Sequence, residues 1–71
     1  MNNWEIENIE MNLLLDALYY RYGYDFRHYS RASADRRAKP FAARPGLKFV
    51  SAIIPMVLTD VPFYETLVRE L

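Results

Sequence analysis

The sequence predicts an all-α fold, a small bundle of three to four short helices. Three observations carry that expectation. Apolar residues between Glu5 and Tyr22 recur at three- and four-residue steps. Ser30 and Asp60 stand where helix caps belong, and Gly23 stands where a helix would close. No run shows the strict alternation of a half-buried strand, and there is no internal repeat. The 71 residues suffice for a single helical domain over positions 1–71. A domain of this size buries only about 60% of the surface its unfolded chain exposes, so its core is thin.

The first helix is expected over Glu5 to Tyr22, with Ile6, Ile9, Leu13, Ala17 and Tyr20 as its core-facing stripe and Leu14 and Leu18 widening it. Asn2 or Asn3 can cap its start, the acids of its first turns suit the positive end of the helix dipole, and Arg21 suits the negative end. Gly23 supplies the left-handed residue that commonly ends a helix, with Tyr24 folding back onto the last turn. A second helix is expected from about Ser30 to Ala38. Pro40 lacks an amide hydrogen and disfavours a helical Lys39, so this helix should break or kink there. Pro45-Gly46 marks a turn.

"LKFVSAIIPMVL" reads as a third helix presenting Phe49, Val50, Ile53, Ile54, Val57 and Leu58 on one broad face, with Pro55 kinking it or lying in its first turns. Asp60 caps a fourth helix, Pro62 is tolerated in its first turn, and Phe63, Tyr64, Leu67, Val68 and Leu71 form its buried stripe.

Composition narrows the function classes. With 52% hydrophobic and 25% charged residues the chain is of globular type. The absence of cysteine excludes disulfides and thiolate metal sites and fits a reducing compartment. "VSAIIPMVL" is too short to span a bilayer and is interrupted by Pro55, and "MNNWEIENIE" is acidic rather than signal-like. A cytoplasmic protein with no membrane insertion is the expectation.

Metal and nucleophile chemistry lack support. His28 is the sole histidine, one histidine beside arginines is no triad, and neither Gly23 nor Gly46 belongs to a phosphate loop. No catalytic, metal or cofactor-binding residue is therefore assigned.

The zero net charge hides segregation. Arg21, Arg27, Arg31, Arg36, Arg37, Lys39, Arg44 and Lys48 occupy the middle of the chain against Asp25 and Asp35, whereas the first twenty residues hold four acids and no basic residue. Such a distribution can steer an acidic partner or pair with the acidic helices of its own fold. The run Arg31, Arg36, Arg37 and Lys39 is the candidate partner-binding set, because guanidinium groups suit bidentate carboxylate recognition. The aromatics Tyr19, Tyr20, Tyr22, Tyr24, Phe26 and Tyr29 are expected mainly in the core rather than as a base-stacking platform.

"LLLDALYYRYGYDFRHYSRAS", followed by Arg36-Arg37 and then by Gly46-Leu47, Ile54-Pro55, Leu58, Asp60, Phe63, Leu67 and Leu71, resembles the N-terminal helical domain of CheR-type methyltransferases. These are S-adenosylmethionine-dependent enzymes that methylate chemoreceptor glutamates. The resemblance implies a domain that packs on a larger catalytic domain and approaches receptor methylation helices through a basic second helix, on which Arg36 and Arg37 stand. It also implies that S-adenosylmethionine and the catalytic domain are served by residues outside these 71, so the chain is either the front of a longer enzyme or a short gene product. The chain departs from the family at Ala34, Asp35, Ala38, Pro40 and Phe41, changes that remove apolar anchors, reverse one charge and insert a helix breaker.

The expected role is a non-catalytic protein-interaction module whose partner is a chemoreceptor-like helix or a methyltransferase catalytic domain. Self-association follows if the face such a domain would cover stays open, since uncovered apolar patches of several hundred Å² are uncommon on monomers. One alternative is the front fragment of a methyltransferase, active only with its catalytic domain. Another is a small basic nucleic-acid-binding domain, disfavoured by the acidic flanks and the lack of a known motif.

Overall fold

The computed structural model describes residues 1–26, 29–43 and 49–71. Among the described residues four α-helices form the bundle: α1 (Asn3–Tyr22), α2 (Arg31–Ala42), α3 (Ile54–Thr59) and α4 (Val61–Glu70), with a 3-10 turn over Val50–Ile53 leading into α3. No strand occurs among the described residues. The expected Pro45-Gly46 turn lies outside them, as do Arg27, His28, Arg44 and Lys48.

The ends of the helices follow their capping residues. Asn2 Oδ1 accepts the Glu5 amide at 2.9 Å, Ser30 Oγ accepts the Ser33 amide at 3.4 Å, and Asp60 Oδ1 accepts the Phe63 amide at 3.1 Å. Each bond satisfies one of the amides that a helix start leaves without an intrahelical acceptor. Gly23 takes the left-handed conformation, φ 79°, and its amide reaches Tyr19 O at 2.8 Å while that of Tyr24 reaches Leu18 O at 3.3 Å. The Gly23 bond is that of an αL helix cap, and the left-handed glycine turns the chain out of α1 toward α2.

α1 packs on the 3-10 turn and α3, α2 covers the turn and meets α4, and α3 leans on α4. The core collects Met11, Leu14 and Leu18 from α1, Ala34, Ala38 and Phe41 from α2, and Val50, Ile53, Val57, Phe63, Tyr64 and Leu67 from the later elements.

This corrects the expected face of α1. Ile6, Ile9, Leu13 and Tyr20 are exposed and Ala17 is half-buried, while the neighbouring line through Met11, Leu14 and Leu18 is sealed. The helix carries apolar residues on two faces. Spacing alone favoured the longer stripe, whereas the elements that follow pack against the other.

Two further expectations change. α2 does not stop near Ala38 but runs through Pro40 to Ala42, and the Ala43 amide closes it on Lys39 O at 3.0 Å. Pro40 is on the exposed side, where the Arg36 carbonyl that it leaves without a donor can be hydrated. The departures at Ala34, Ala38 and Phe41 are anchors rather than losses. The two alanines are fully buried, and the Phe41 ring meets Phe63 edge to face at 5.8 Å. The third segment splits at its proline into the 3-10 turn and α3, with Pro55 in the first turn of α3. On its expected face Val50, Ile53 and Val57 are buried, whereas Phe49 and Leu58 are exposed.

In α4 the expected stripe holds: Phe63, Tyr64 and Leu67 are buried, and Val68 and Leu71 are half-buried against the core. No described helix is long and apolar enough to cross a membrane.

Candidate protein-docking face

The four basic residues singled out by the sequence share α2 but not one task. Arg31, at the start of α2, points back to α1. Its guanidinium donates to Asn8 Oδ1 at 2.6 Å, to the Asn8 carbonyl at 3.3 Å, and to Asn12 Oδ1. Asn8 and Asn12 are four residues apart, so they line one side of α1 and offer their oxygens together. That i, i+4 pair is a signal legible in the sequence, but nothing local names its partner.

Arg37 ties α2 to the end of α4. Its Nη1 donates to the Leu71 carbonyl at 2.8 Å and to the Tyr29 hydroxyl at 2.9 Å, and Tyr29 in turn donates to Leu71 O. The Leu71 amide itself bonds back to Leu67 and Val68. The cation thus sits at the carbonyl end of α4, where the helix dipole favours positive charge.

Lys39 reaches a Glu7 carboxylate oxygen at 4.0 Å with both side chains more than half exposed, a pairing of little energetic consequence. Arg36 is exposed and has no hydrogen-bond or ion-pair partner among the described residues. Three residues apart, Arg36 and Lys39 lie on the outer side of α2, away from Ala34, Ala38 and Phe41.

This division has a stability consequence. Arg37→Ala should cost about 1–2 kcal/mol, the worth of charge-assisted hydrogen bonds in a partly solvated setting, while Arg36→Ala should stay within about 0.5 kcal/mol. Urea denaturation of the two variants beside wild type checks the contrast. Equal effects would show that Arg37 does not hold α4.

Beside Arg37 lies an open groove of about 270 Å³ lined by Arg37, Pro40, Phe41, Thr66 and Glu70. The outer face of α2 therefore borders a shallow depression with an apolar floor and a charged rim. A second groove, about 260 Å³, runs along α4 past Tyr24, Tyr64, Glu65, Val68 and Arg69. Its aromatic wall is packed rather than free: Tyr22 stacks on Tyr64 with centroids 3.5 Å apart, and Tyr22 Oη donates to Val57 O at 2.6 Å. Tyr22, Phe26 and Tyr29 pack against the core, while Tyr19, Tyr20 and Tyr24 are exposed. The expectation that the helix-end aromatics lie mainly in the core therefore holds for three of the six, and the other three face outward.

Burial, reinforced by Tyr24 and Tyr22, raises the Tyr64 pKa above its ordinary value. A raised phenol stays protonated in the fold while the unfolded chain begins to lose its proton near pH 10, so the unfolded state is the one that gains. The Tyr64 contribution is accordingly present below about pH 10 and is lost as the pH climbs from there through the folded value. Denaturation midpoints measured from pH 8 to 11 should fall less steeply for Tyr64→Phe than for wild type.

Glu10 of α1 is buried and binds Ser51, accepting its amide at 2.9 Å and its hydroxyl at 2.6 Å. Sequence reasoning assigned Glu10 only to the acidic first turns. Its partner lies 41 positions away, with no local mark. Among the described residues no group of acids or histidine is arranged to hold a metal ion.

The described residues thus form a small helical bundle whose basic second helix is fastened to α1 through Arg31 and to the end of α4 through Arg37. The chain belongs to the CheR methyltransferase all-alpha domain family, whose model matches residues 9–71. It is 39% identical over 64 residues to a Pseudomonas putida protein named as methyltransferase Cher3, covering 90% of this chain and 23% of that protein. The chain therefore spans about a quarter of that relative. No solved structure matches it.

Proposed function

We propose that these residues form the substrate-recognition domain of a protein-glutamate methyltransferase of the chemotaxis type, a protein-interaction module that itself performs no step of methyl transfer. The observation that carries this reading is the division of labour on α2. Arg31 and Arg37 fasten the helix to α1 and α4, which holds Arg36 and Lys39 outward on a fixed scaffold.

A basic, preorganised helix face suits an acidic helical segment, with Arg36 the principal contact because no internal acid competes for it. Asp35, half-buried, tempers the positive charge on one flank. Methyl transfer, its S-adenosylmethionine donor and the receptor-like substrate belong in this reading to the enzyme that carries such a domain. Family membership and the relative named as a methyltransferase support it.

The test is a titration of the purified chain with a glutamate-rich helical peptide, followed by amide chemical shifts. Saturable binding should displace signals of α2, and Arg36→Glu should weaken it at least tenfold without lowering the unfolding midpoint. Shifts confined to other elements, or equal affinity for Arg36→Glu, would refute the role given to α2.

A further inference from the structure

The groove between α2 and α4 has two unlike banks. Arg37, Pro40 and Phe41 wall it on the α2 side, Thr66 and Glu70 on the α4 side. Arg37 is already engaged, with its Nη1 on the Leu71 carbonyl and the Tyr29 hydroxyl. Arg36 stands four residues before Pro40, so the two side chains are neighbours on α2, about 6 Å apart at Cβ. An exposed cation with no partner among the described residues therefore lies at the outer lip of the groove. On the other bank Glu70 is exposed, and its carboxylate likewise has no partner among the described residues. Across the groove the order is cation, apolar wall, carboxylate.

Size and chemistry narrow what can enter. A volume of about 270 Å³ is below the range of about 300–1,000 Å³ usual for small-molecule pockets, so the groove suits one side chain presented by a docked segment. The Thr66 hydroxyl donates back to the Pro62 carbonyl at 3.0 Å, which leaves it no proton for a ligand. Between the two charges the lining is the Pro40 ring and the nearly buried Phe41. An acid placed there would face Glu70 and be repelled, whereas an aliphatic group would gain by leaving water.

We propose that this groove reads the residues beside the acid: the acidic segment held by the outer face of α2 carries a bulky aliphatic side chain that enters between α2 and α4, with lysine or arginine beyond it facing Glu70. The inference rests on the acidic partner proposed above. It adds what an acid alone leaves open, namely the side of α2 from which the segment lies across the domain and the residues that must flank the acid. A uniformly acidic segment is accordingly a poorer partner than one that runs acid, aliphatic, base.

The experiment titrates dye-labelled helical peptides with the full chain by fluorescence anisotropy. All share the same glutamates. The first has leucine one turn from a glutamate and lysine on the flank beyond, the second has alanine in place of the leucine, and the third has glutamate in place of that lysine. The first should bind at least fivefold tighter than the second and at least threefold tighter than the third.

Thr66→Trp, at an exposed site on the α4 bank, should fill the groove and bring the leucine-to-alanine ratio below twofold. Glu70→Lys should reverse the preference between lysine and glutamate flanks, and it decides the matter if Thr66→Trp fails to fold. Equal affinity for the leucine and alanine peptides would overturn the groove while leaving the acidic partner of α2 standing, whereas saturable binding by none of the three would remove both. A leucine preference that survives Thr66→Trp, or a lysine preference that survives Glu70→Lys, would also overturn the proposal.

Discussion

Leu18→Ala should cost the fold about 3–5 kcal/mol, and Leu13→Ala, five positions earlier in the same helix, no more than about 0.5 kcal/mol. Leu18 is fully buried among the core side chains of the bundle, whereas Leu13 is half exposed on the outer side of α1. Removing the Leu18 side chain forfeits its transfer energy and leaves a cavity that the packed neighbours fill only in part. A domain of 71 residues has a total stability of about 4–10 kcal/mol, so this one truncation consumes a third or more of it. Paired urea titrations with a common slope measure both values. If Leu13→Ala proved the costlier change, the face assigned to the core would be wrong.

Glu10→Ala should be the next most damaging change, about 2 kcal/mol, because it strips the amide and the hydroxyl of the half-buried Ser51 of one shared acceptor. The carboxylate bonds both groups of Ser51 at the entry to the 3-10 turn, whose preceding residue offers no side-chain cap of its own. Glu10 thereby acts as a cap supplied from a distant helix, fixing where the turn begins against α1. Glu10→Gln keeps an acceptor oxygen and should lose only about 1 kcal/mol, the difference between a charge-assisted and a neutral bond. In a double-mutant cycle with Ser51→Ala the two losses should overlap strongly rather than add. Additive losses would mean that Glu10 stabilises the fold by some other route.

Much of this architecture is written locally. Asn2, Gly23, Ser30 and Asp60 act within a few residues of themselves, so the helix ends could be read from their identities, and the family resemblance reached the same domain that the family model matches. What escaped the reading depends on partners far along the chain. The exposed line of Ile6, Ile9 and Leu13 and the buried line of Met11, Leu14 and Leu18 are both helical in period. Only the docking of the 3-10 turn and α3 decides between them.

Pro40 was read as a break because its local preference is strong, yet an exposed position and the burial of Ala38 and Phe41 on the opposite side carry the helix through it. The basic set was legible as a group but not as individuals. Nothing in "RASADRR" distinguishes an arginine that reaches two asparagines on α1 from one left open to solvent.

The attachment of α2 bears on how such a domain can diversify. Ala34, Ala38 and Phe41 anchor it from below, and Arg31 and Arg37 fasten its edges. Ala32, Arg36, Lys39 and Pro40 are thereby left outside the core. These positions form a cassette that mutation can rewrite at little thermodynamic cost, so a lineage carrying this scaffold could exchange one partner for another without first having to evolve a new way to fold.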